Sequence, residues 1–209
     1  MAQRYTEILD ALRRSYDGSA QERDQRAKQA WKIAEREAFL DRLRAIEAKT
    51  LLEIGAGTGQ DAFFFQESGL AVTAVDLSPA MVERCREKGI PAYVRDFLAL
   101  GFTPGSFDAV YAMNCLLHVP NADLPKVLLA IREVLVPGGL FFLGVYGGES
   151  REGAVAEDRQ DPPRFFSSRT DEQILAYAGQ AFEIIDFHTL HDGEDHFQAL
   201  TLAKPLVEQ

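Results

Sequence analysis

The sequence predicts an α/β fold in which helices cover both faces of a mostly parallel sheet. From Thr50 onwards, short apolar runs alternate with segments of helical pattern, and parallel strands need such helical crossovers between them. The last two apolar runs, 182–190 and 196–203, are separated only by a short turn at Asp192 and Gly193. Because so short a connection permits only antiparallel pairing, we expect one antiparallel strand near the edge of the sheet.

The composition is that of one globular domain with a sizeable core. Of the 209 residues, 46% are hydrophobic and 26% are charged, which excludes a disordered chain, a collagen-like fibre and a coiled coil. No run of about 18 apolar residues is present, so we expect no membrane-spanning segment. The start of the chain lacks the apolar core of a signal peptide, and two cysteines, Cys85 and Cys115, are too few for a disulfide framework. These features predict a cytoplasmic protein.

The charge distribution argues against a nucleic-acid partner. The formal net charge is −10, and the residues after position 50 carry 11 basic against 23 acidic side chains. Binding to a phosphate backbone needs a basic face, which this acidic body does not offer. We therefore expect no nucleic acid among the partners of the protein.

The first quarter of the chain is predicted to be helical. Residues 4–16 carry an apolar stripe at helical spacing, and residues 20–48 consist largely of the strong helix formers Ala, Arg, Lys and Glu. We expect residues 1–48 to form a helical cap. Residues 49–209 are expected to form a single globular unit.

Beyond the cap, strands and helices alternate, and two of the helix starts carry recognisable caps. Ser78 followed by Pro79 offers a capping hydroxyl with proline at the first helical position, and Thr170 with Gln173 forms a capping box. Residues 147–169 form one long irregular connection, and a connection of that length in a compact domain is usually functional. The predicted strands are 49–54, 71–75, 92–94, 107–112 and 140–146, and the predicted helices are 58–67, 78–89, 121–135 and 170–179.

A glycine-rich turn joins the first strand to the first helix of this alternation. It reads Glu53-Ile54-Gly55-Ala56-Gly57-Thr58-Gly59, and glycine suits it because the turn is tight and the backbone must approach a ligand closely. Four features accompany the turn in register. They are Glu53 two positions before the first glycine, Asp76 at the end of the second strand, Asp96 with Phe97 after the third strand, and Pro137-Gly138-Gly139 before the fifth.

In these residues the chain resembles the class I S-adenosylmethionine-dependent methyltransferases of the small-molecule type. The motifs cover residues 50–146, and the terminal hairpin extends the resemblance to residue 203. The resemblance implies a three-layer Rossmann-like sandwich with a seven-stranded sheet in the order 3-2-1-4-5-7-6 and strand 7 antiparallel, which agrees with the strands predicted from the apolar runs. It also implies S-adenosylmethionine as cofactor, S-adenosylhomocysteine as product, and methyl transfer by in-line displacement.

The resemblance further implies which residues contact the cofactor. Its methionine part would lie against the turn at Gly55, Ala56, Gly57 and Gly59, with Glu53 facing the ammonium and Asn114 near the sulfonium. Its nucleoside part would meet Asp76 at both ribose hydroxyls, Leu77 on the adenine ring, and Asp96 at the adenine amino group with Phe97 as an apolar neighbour. The residues themselves leave other roles open: close helix–strand packing for Gly59, capping of the turn for Glu53, and the start of a turn for Asp96.

A hydroxyl acceptor usually needs a base, whereas a nitrogen or sulfur acceptor does not always need one. His118, four residues after Asn114, is the catalytic candidate. The alternative for His118 is a structural role, in which it holds the turn before the next helix. No set of His, Cys or carboxylate residues has the spacing of metal ligands, so we predict no metal.

Substrate contacts are predicted in the cap and in the long connection. Residues 147–169 follow the carboxyl end of a strand, which places them beside the cofactor, and we expect them to form a lid over the substrate. The alternative is a loop that packs its own aromatic side chains into the core. The substrate-binding candidates are Tyr16 in the cap and an aromatic wall with one cation, formed by Tyr146, Arg164, Phe165 and Phe166.

These features together predict an S-adenosylmethionine-dependent methyltransferase with a small-molecule substrate and no membrane partner, acting as a monomer or a homodimer. Two other functions stay open. One is an NAD(P)-dependent oxidoreductase, although the Gly-x-Gly-x-Gly spacing differs from the Gly-x-Gly-x-x-Gly dinucleotide signature. The other is a scaffold or sensor that binds the cofactor without catalysis, since the chain offers no unambiguous base. The sequence leaves the acceptor atom undetermined.

Overall fold

The computed structural model of the chain describes residues 3–155, 158–193 and 195–206, and a seven-stranded sheet forms its middle layer. The sheet strands are β1 (Thr50–Ile54), β2 (Ala71–Asp76), β3 (Ala92–Val94), β4 (Phe107–Met113), β5 (Leu135–Gly147), β8 (Glu183–Asp192) and β9 (Asp195–Ala203). Their order is β3-β2-β1-β4-β5-β9-β8, with β9 antiparallel to both β5 and β8 and the other pairs parallel. Counted within this sheet, the predicted order and its antiparallel strand are confirmed.

Helices pack on both faces of the sheet and complete the three layers. One face carries α1 (Tyr5–Asp17), α6 (Leu124–Val134) and α7 (Asp171–Ala178), and the other carries α3 (Ala30–Ala45), α4 (Gln60–Glu67) and α5 (Pro79–Glu87). The short α2 (Ala20–Asp24) lies between α1 and α3 in the chain. Because helices cover both faces, the central strands are buried almost throughout. Among the described helices, none has the length and apolar character needed to span a bilayer.

The predicted helix 20–48 is wrong in its middle, because the chain leaves the helical conformation at residues 25–29. This segment crosses the start of α4. There the side-chain amide of Gln60 donates to a main-chain carbonyl of the segment at 3.1 Å, and Lys28 pairs with Asp61 at 2.7 Å. Helix propensity is a weak preference, and these tertiary contacts outweigh it.

The connection 147–169 is predicted to be irregular, but in the structure part of it forms a small hairpin. Its strands β6 (Arg151–Ala154) and β7 (Phe165–Ser168) pair antiparallel and form a sheet of their own. Positions 156 and 157 of the connection lie outside the described residues. Strands of four residues carry too little alternation to be recognised from the sequence pattern, so the hairpin depends on its tertiary surroundings.

The two predicted helix caps are confirmed. The Ser78 hydroxyl accepts a hydrogen bond from the Met81 N–H at 3.1 Å with Pro79 in the first turn, and the Thr170 hydroxyl accepts from the Gln173 N–H at 3.3 Å. Each cap satisfies a main-chain donor that the start of a helix otherwise leaves unpaired. The other predicted strands and helices are present, and the largest difference in bounds lies at the start of β5.

Helix α1 lies beside the edge of the sheet where the carboxyl ends of the parallel strands meet. The start of α1 is fixed by Asp123, which accepts from the Tyr5 N–H at 2.8 Å and pairs with Arg4 at 2.5 Å. The end of α1 is fixed by Asp17, whose Oδ1 accepts from the Ser78 hydroxyl at 2.5 Å. The helix therefore closes one side of the region where open α/β sheets bind ligands.

Candidate active site

A cavity of about 270 Å³ lies between the carboxyl ends of β1, β2 and β4 and helix α1. The substrate-binding candidate Tyr16 and the catalytic candidate His118 line this cavity. The predicted cofactor residues Gly59 and Asp96 do not line it. The structure thus brings together predicted site residues from distant segments of the chain. The predicted cofactor residues that line the cavity are Glu53, Gly55, Ala56, Gly57, Asp76, Leu77, Phe97 and Asn114.

The three glycines of the turn have different surroundings, although all have positive φ angles of 62°, 56° and 79°. A Cβ atom on Gly55 would lie 2.3 Å from the Cβ of Cys115, so only glycine permits this close approach of the chain after β4. A Cβ atom on Gly57 would meet nothing within 4 Å. A Cβ atom on Gly59 would lie 2.9 Å from the Cys85 sulfur, which favours a packing role for this glycine.

Asp76 at the end of β2 is buried, and both of its carboxylate oxygens are held by the main chain. Oδ2 accepts from the Gly57 N–H at 2.8 Å, and Oδ1 accepts from the Ser78 N–H at 2.9 Å. Burial raises the pKa of this carboxyl group, while the two N–H groups oppose the shift. A carboxylate offers about four acceptor positions, so Asp76 retains positions for a pair of further donors.

Two buried oxygens that belong to cavity-lining residues have no hydrogen-bond partner in the described part of the chain. They are Oε2 of Glu53 and Oδ1 of Asn114. Burial, and after it the nearby Asp61 carboxylate, raises the pKa of Glu53 well above its ordinary value. Buried polar atoms usually have partners, so this pair suits a ligand that donates hydrogen bonds, such as an ammonium group.

Cationic side chains approach the cavity from the cap. Lys28 and Arg36 both pair with the buried Asp61, at 2.7 and 3.0 Å. Arg23 stacks over the Tyr16 ring at 4.7 Å and has no carboxylate partner among the residues described. A partly buried guanidinium without a carboxylate suits an anionic group of a ligand. No sequence pattern indicates the contact between Lys28 and Asp61, because this contact depends on the unpredicted break at residues 25–29.

The residues predicted to contact adenine separate into two groups. Leu77 and Phe97 line the cavity, and the Phe97 ring stacks parallel to Tyr5 of α1 with 5.9 Å between centroids. Asp96 lies outside the cavity lining, and its Oδ1 accepts from the N–H groups two and three residues ahead at 2.8 and 3.2 Å. That geometry is the turn-initiating role left open for Asp96 above.

His118 is buried and uses both ring nitrogens. Its Nδ1 lies 2.6 Å from the Phe165 carbonyl oxygen, and its Nε2 lies 2.5 Å from the Tyr16 hydroxyl. Because a carbonyl oxygen only accepts, Nδ1 carries the hydrogen and Nε2 accepts from Tyr16. Burial lowers the pKa of His118 to about 4, so the ring is neutral near pH 7. The residue therefore links α1 to β7, which differs from the alternative in which His118 holds the turn before the next helix.

The predicted aromatic wall does not line this cavity. Phe165 is buried in the core. This position agrees with the alternative in which the connection packs its own aromatic side chains into the core. Arg164 binds Asp158 through Nε and Nη2, at 3.1 and 2.8 Å, and its Nη1 donates to the Tyr16 hydroxyl at 3.3 Å. Arg164 thus reaches the site through Tyr16. Asp158, which orients it, was missed because nothing in the sequence pattern pairs the two residues.

Phe166 and Tyr146 line a second, more open cavity of about 540 Å³ beside the hairpin. The Phe166 ring lies 4.9 Å from the His118 ring, which lines the first cavity. The His118–Phe166 pair therefore stands between the two cavities. Within the described residues, no group of three or more His, Cys, Asp or Glu side chains is placed to hold a metal ion.

Comparisons with known sequences point to methyltransferases. Residues 51–139 match the family model of a methyltransferase domain. Malonyl-[acyl-carrier protein] O-methyltransferase of Halorhodospira halophila is 32% identical in an alignment of length 194 that covers 84% of this chain and 63% of the relative. Ubiquinone biosynthesis O-methyltransferase of Xanthomonas campestris is 34% identical in an alignment of length 106 that covers 47% of this chain and 44% of the relative. The chain thus spans less than two thirds of the length of these curated relatives.

Solved structures share the fold at lower identity. One is the 1,6-didemethyltoxoflavin-N1-methyltransferase of Burkholderia thailandensis, which was solved with 1,6-didemethyltoxoflavin and S-adenosylhomocysteine bound. Its TM-score is 0.77 at 21% identity, and the match covers 98% of this chain and 92% of that protein's chain. The [4+2]-cyclase SpnF has a TM-score of 0.66 at 20% identity, with 88% and 86% of the two chains covered. One fold thus carries different reactions, so the fold alone does not fix the chemistry.

The sheet order, the glycine turn and the carboxylate at the end of β2 define a doubly wound α/β protein with a ligand site at the carboxyl ends of its strands. The family match covers this turn, this carboxylate and strand β4. The chain is similar to the class I S-adenosylmethionine-dependent methyltransferases, and its residues 51–139 match the model of a methyltransferase domain.

Proposed function

We propose that the protein transfers a methyl group from S-adenosylmethionine to a small-molecule acceptor by in-line displacement. The observation that carries this proposal is a pair of buried oxygens, on Glu53 and Asn114, that have no hydrogen-bond partner among the residues described and share a cavity with the spare acceptor positions of Asp76. An ammonium group and a sugar diol are the donors that such acceptors fit. When bound, S-adenosylmethionine supplies an activated methyl group on a positively charged sulfonium.

Different residues of the cavity would bind different parts of this cofactor. Asp76 would accept from the ribose hydroxyls, and Glu53 with Asn114 would accept from the ammonium group. Leu77 and Phe97 provide apolar surface for the adenine ring. Arg23, which lacks a carboxylate partner among the described residues, is available for the carboxylate of the same ligand. Gly55, Ala56 and Gly57 line the cavity with main-chain atoms and little side-chain bulk.

The main tasks of the chain in such a transfer are alignment of the acceptor and exclusion of water. We assign residues 1–48 the role of a cap, because Asp123 and Asp17 fix both ends of α1 beside the cavity. We assign residues 147–169 the acceptor side, where Phe166 and Tyr146 line the second cavity. These assignments keep Tyr16 and His118 at the boundary between cofactor and acceptor.

Calorimetry with S-adenosylhomocysteine tests this proposal. We expect the native protein to bind it, and Asp76→Ala to weaken binding about 100-fold, since hydrogen bonds to a charged group contribute about 1.5–3 kcal/mol each. Asp76→Asn, which keeps one acceptor oxygen, should give an intermediate loss. Asp41→Ala, at an exposed carboxylate paired with Arg44, is the matched control and should bind like the native protein. No binding by the native protein, or undiminished binding by Asp76→Ala, contradicts the proposal.

The oxidoreductase alternative has a separate test. We expect no change in NADH fluorescence when the protein is added, and no competition between NADH and S-adenosylhomocysteine. Saturable NADH binding that is abolished by Asp76→Ala would favour the oxidoreductase instead.

A further inference from the structure

The Tyr16 hydroxyl of α1 connects the cavity to a chain of hydrogen bonds that reaches β7 through His118. Its proton points to Nε2 of His118 at 2.5 Å, since the other nitrogen of that ring is committed to the Phe165 carbonyl at 2.6 Å. Arg164 donates to the same hydroxyl oxygen at 3.3 Å. The arrangement fixes the direction of every hydrogen bond between the cavity and β7.

The Tyr16 oxygen still has room for one more donor. A phenol has one proton and two acceptor positions. Its proton is used by His118, and one acceptor position is used by Arg164. The second acceptor position is the one through which an O–H group in the cavity can donate to Tyr16.

We propose that Tyr16 takes the proton of a hydroxyl group on the methyl acceptor and passes its own proton to His118 in the same step. The inference rests on the proposed function and adds to it the acceptor class, an alcohol or phenol. Tyr16 is then the catalytic residue that touches the acceptor, and His118 is the positioning residue and final proton site behind it. This is a different assignment from direct proton removal by His118, whose Nε2 is covered by Tyr16.

The step balances in atoms and charge. The bond between the acceptor oxygen and the methyl carbon forms as the bond between that carbon and sulfur breaks, and the sulfur keeps the electron pair. The acceptor proton moves to the Tyr16 oxygen, and the Tyr16 proton moves to Nε2 of His118. One positive charge disappears from the sulfonium and one appears on the imidazole, so the closed site keeps its net charge. The imidazolium then loses its proton to solvent when the site opens.

The charged groups around the pair act on both Tyr16 and His118. Arg23 and Arg164 stack over the Tyr16 ring at 4.7 and 5.5 Å, and both lower the pKa of Tyr16 against the larger effect of burial, which raises it. The Arg164 charge is balanced by Asp158. Asp76 across the cavity is the other charged group that acts on Tyr16. Because the phenol oxygen gains one proton as it gives up the other, it carries negative charge only during the transfer, and the two guanidinium groups stabilise that charge. The same two groups, after burial, lower the pKa of His118, so the imidazolium readily releases its proton to solvent.

The first experiment reads the protonation state of His118 and needs no acceptor. Ring nitrogens are labelled with ¹⁵N in the full-length protein, and His118 is assigned by the signal missing from His118→Gln. We expect a neutral ring with the hydrogen on Nδ1 between pH 6 and pH 8, with and without S-adenosylhomocysteine. A ring that is protonated at pH 7, or that carries its hydrogen on Nε2, overturns the proposal because neither can accept the Tyr16 proton.

The second experiment compares ring-matched phenols and thiophenols as probes, with radiolabelled S-adenosylmethionine as donor. Thiols ionise near neutral pH and need no base, so Tyr16→Phe should lower kcat for the phenols at least about 100-fold and leave the thiophenols within about threefold. Tyr93→Phe, at an exposed position of β3, is the matched control and should match the native protein on both probes.

Three results overturn the assignment of Tyr16. They are equal losses on both kinds of probe, a phenol rate that survives in Tyr16→Phe, and methylation of thiophenols by a native protein that methylates no phenol. Binding of S-adenosylhomocysteine without turnover of any phenol also counts against the acceptor class. Absence of that binding instead contradicts the proposed function, so the two failures are distinguishable.

Discussion

The cavity has two sides that are built in different ways. The turn side consists of the glycine turn with Asp76 and Ser78, and its key hydrogen bonds join main-chain N–H groups to a carboxylate across 19 and 2 positions of the chain. The hairpin side consists of Tyr16, His118 and residues 164–169, and its hydrogen bonds span 102, 47 and 148 positions. The turn side is therefore a local structure on two adjacent strands. The hairpin side exists only once three distant segments have packed together.

The difference indicates which side of the cavity can change its specificity for the methyl acceptor while the cofactor site is retained. Parallel strands end at one edge of the sheet, so the turn side follows from the strand order itself. The hairpin side depends on side chains that a few substitutions can replace. We expect changes on the turn side to alter stability and cofactor affinity together, and changes on the hairpin side to alter stability and acceptor affinity while cofactor affinity persists.

The largest effect is expected from Gly55→Ala on the turn side. The new Cβ would lie 2.3 Å from Cys115 Cβ at a φ of 62°, so left-handed strain and overpacking together should lower the free energy of unfolding by about 3–5 kcal/mol. Gly105→Ala, at a φ of 68° with nothing within 4 Å, carries the strain alone and should cost about 1–2 kcal/mol. Urea unfolding measures both variants. Equal losses would show that contact with Cys115 is unimportant.

Breaking the hairpin side alone should have a slightly smaller effect. Arg169 is buried and donates to the Val119 carbonyl at 2.5 Å and to the Ser167 carbonyl at 3.2 Å. Arg169→Met leaves these acceptors unpaired, which should lower the free energy of unfolding by about 3–4 kcal/mol. S-adenosylhomocysteine affinity should stay within about threefold in calorimetry. Arg151→Met, at an exposed arginine of β6, is the control, and a large loss of cofactor affinity in Arg169→Met would contradict the separation of the two sides.

The pH dependence of stability should carry a signature of the hairpin side. The pKa of His118 falls from 6.5 to about 4 on folding because the ring is buried. Between these values the unfolded chain binds a proton that the native protein does not bind, so stability decreases as the pH falls through this range. The full decrease is about 3 kcal/mol, at about 1.4 kcal/mol per pKa unit.

Urea unfolding at pH 7.5 and pH 4.5 measures this decrease, which His118→Gln should lack. Other titrating groups are shared by the two proteins, so the difference between their pH responses isolates His118. His191→Gln, at an exposed histidine near the end of β8, should respond like the native protein. Identical responses of His118→Gln and the native protein would mean that His118 is not buried in its neutral form.

The smallest effect is expected where the cap joins the turn side. Asp17 Oδ1 accepts from the Ser78 hydroxyl at 2.5 Å and from the Ala80 N–H at 3.1 Å, so it supplements the cap of α5. Loss of a helix cap costs about 1 kcal/mol, and we expect Asp17→Ala to lower the free energy of unfolding, measured in urea, by about that amount. Cofactor affinity should fall only severalfold. Asp10→Ala, at an exposed carboxylate of α1, should change neither quantity.

Much of the turn side was predictable because its residues are neighbours in sequence. The turn 53–59 and Asp76 follow from two strand ends, and strands are recognised by short apolar runs. Two of the predicted cofactor residues lie outside the cavity lining, and the missing Cβ of Gly59 accommodates Cys85. Asp96 accepts from N–H groups of its own turn, whereas the position of Gly59 depends on packing against another segment, which a local pattern does not contain.

The hairpin side was predicted in its location but not in its contacts. The connection 147–169 does lie beside the cavity region, and Phe166 and Tyr146 of the predicted aromatic wall line the second cavity and not the first. Arg164 reaches the site through its contact with Tyr16. These positions depend on the hydrogen bonds made by Asp158 and Arg169, and no pattern in the sequence indicates those hydrogen bonds.

The amino-acid sequence by itself determined the alternation of strands and helices and the place of the glycine turn, because these follow from hydrophobic periodicity and backbone sterics within short segments. The order of the sheet was implied by the resemblance to a known family and not by these patterns. Tertiary structure alone decided the break at residues 25–29, the hairpin and the hydrogen bonds from Tyr16 to β7. Those features depend on directional side-chain contacts between segments far apart in the chain, and their energies exist only after the chain has folded.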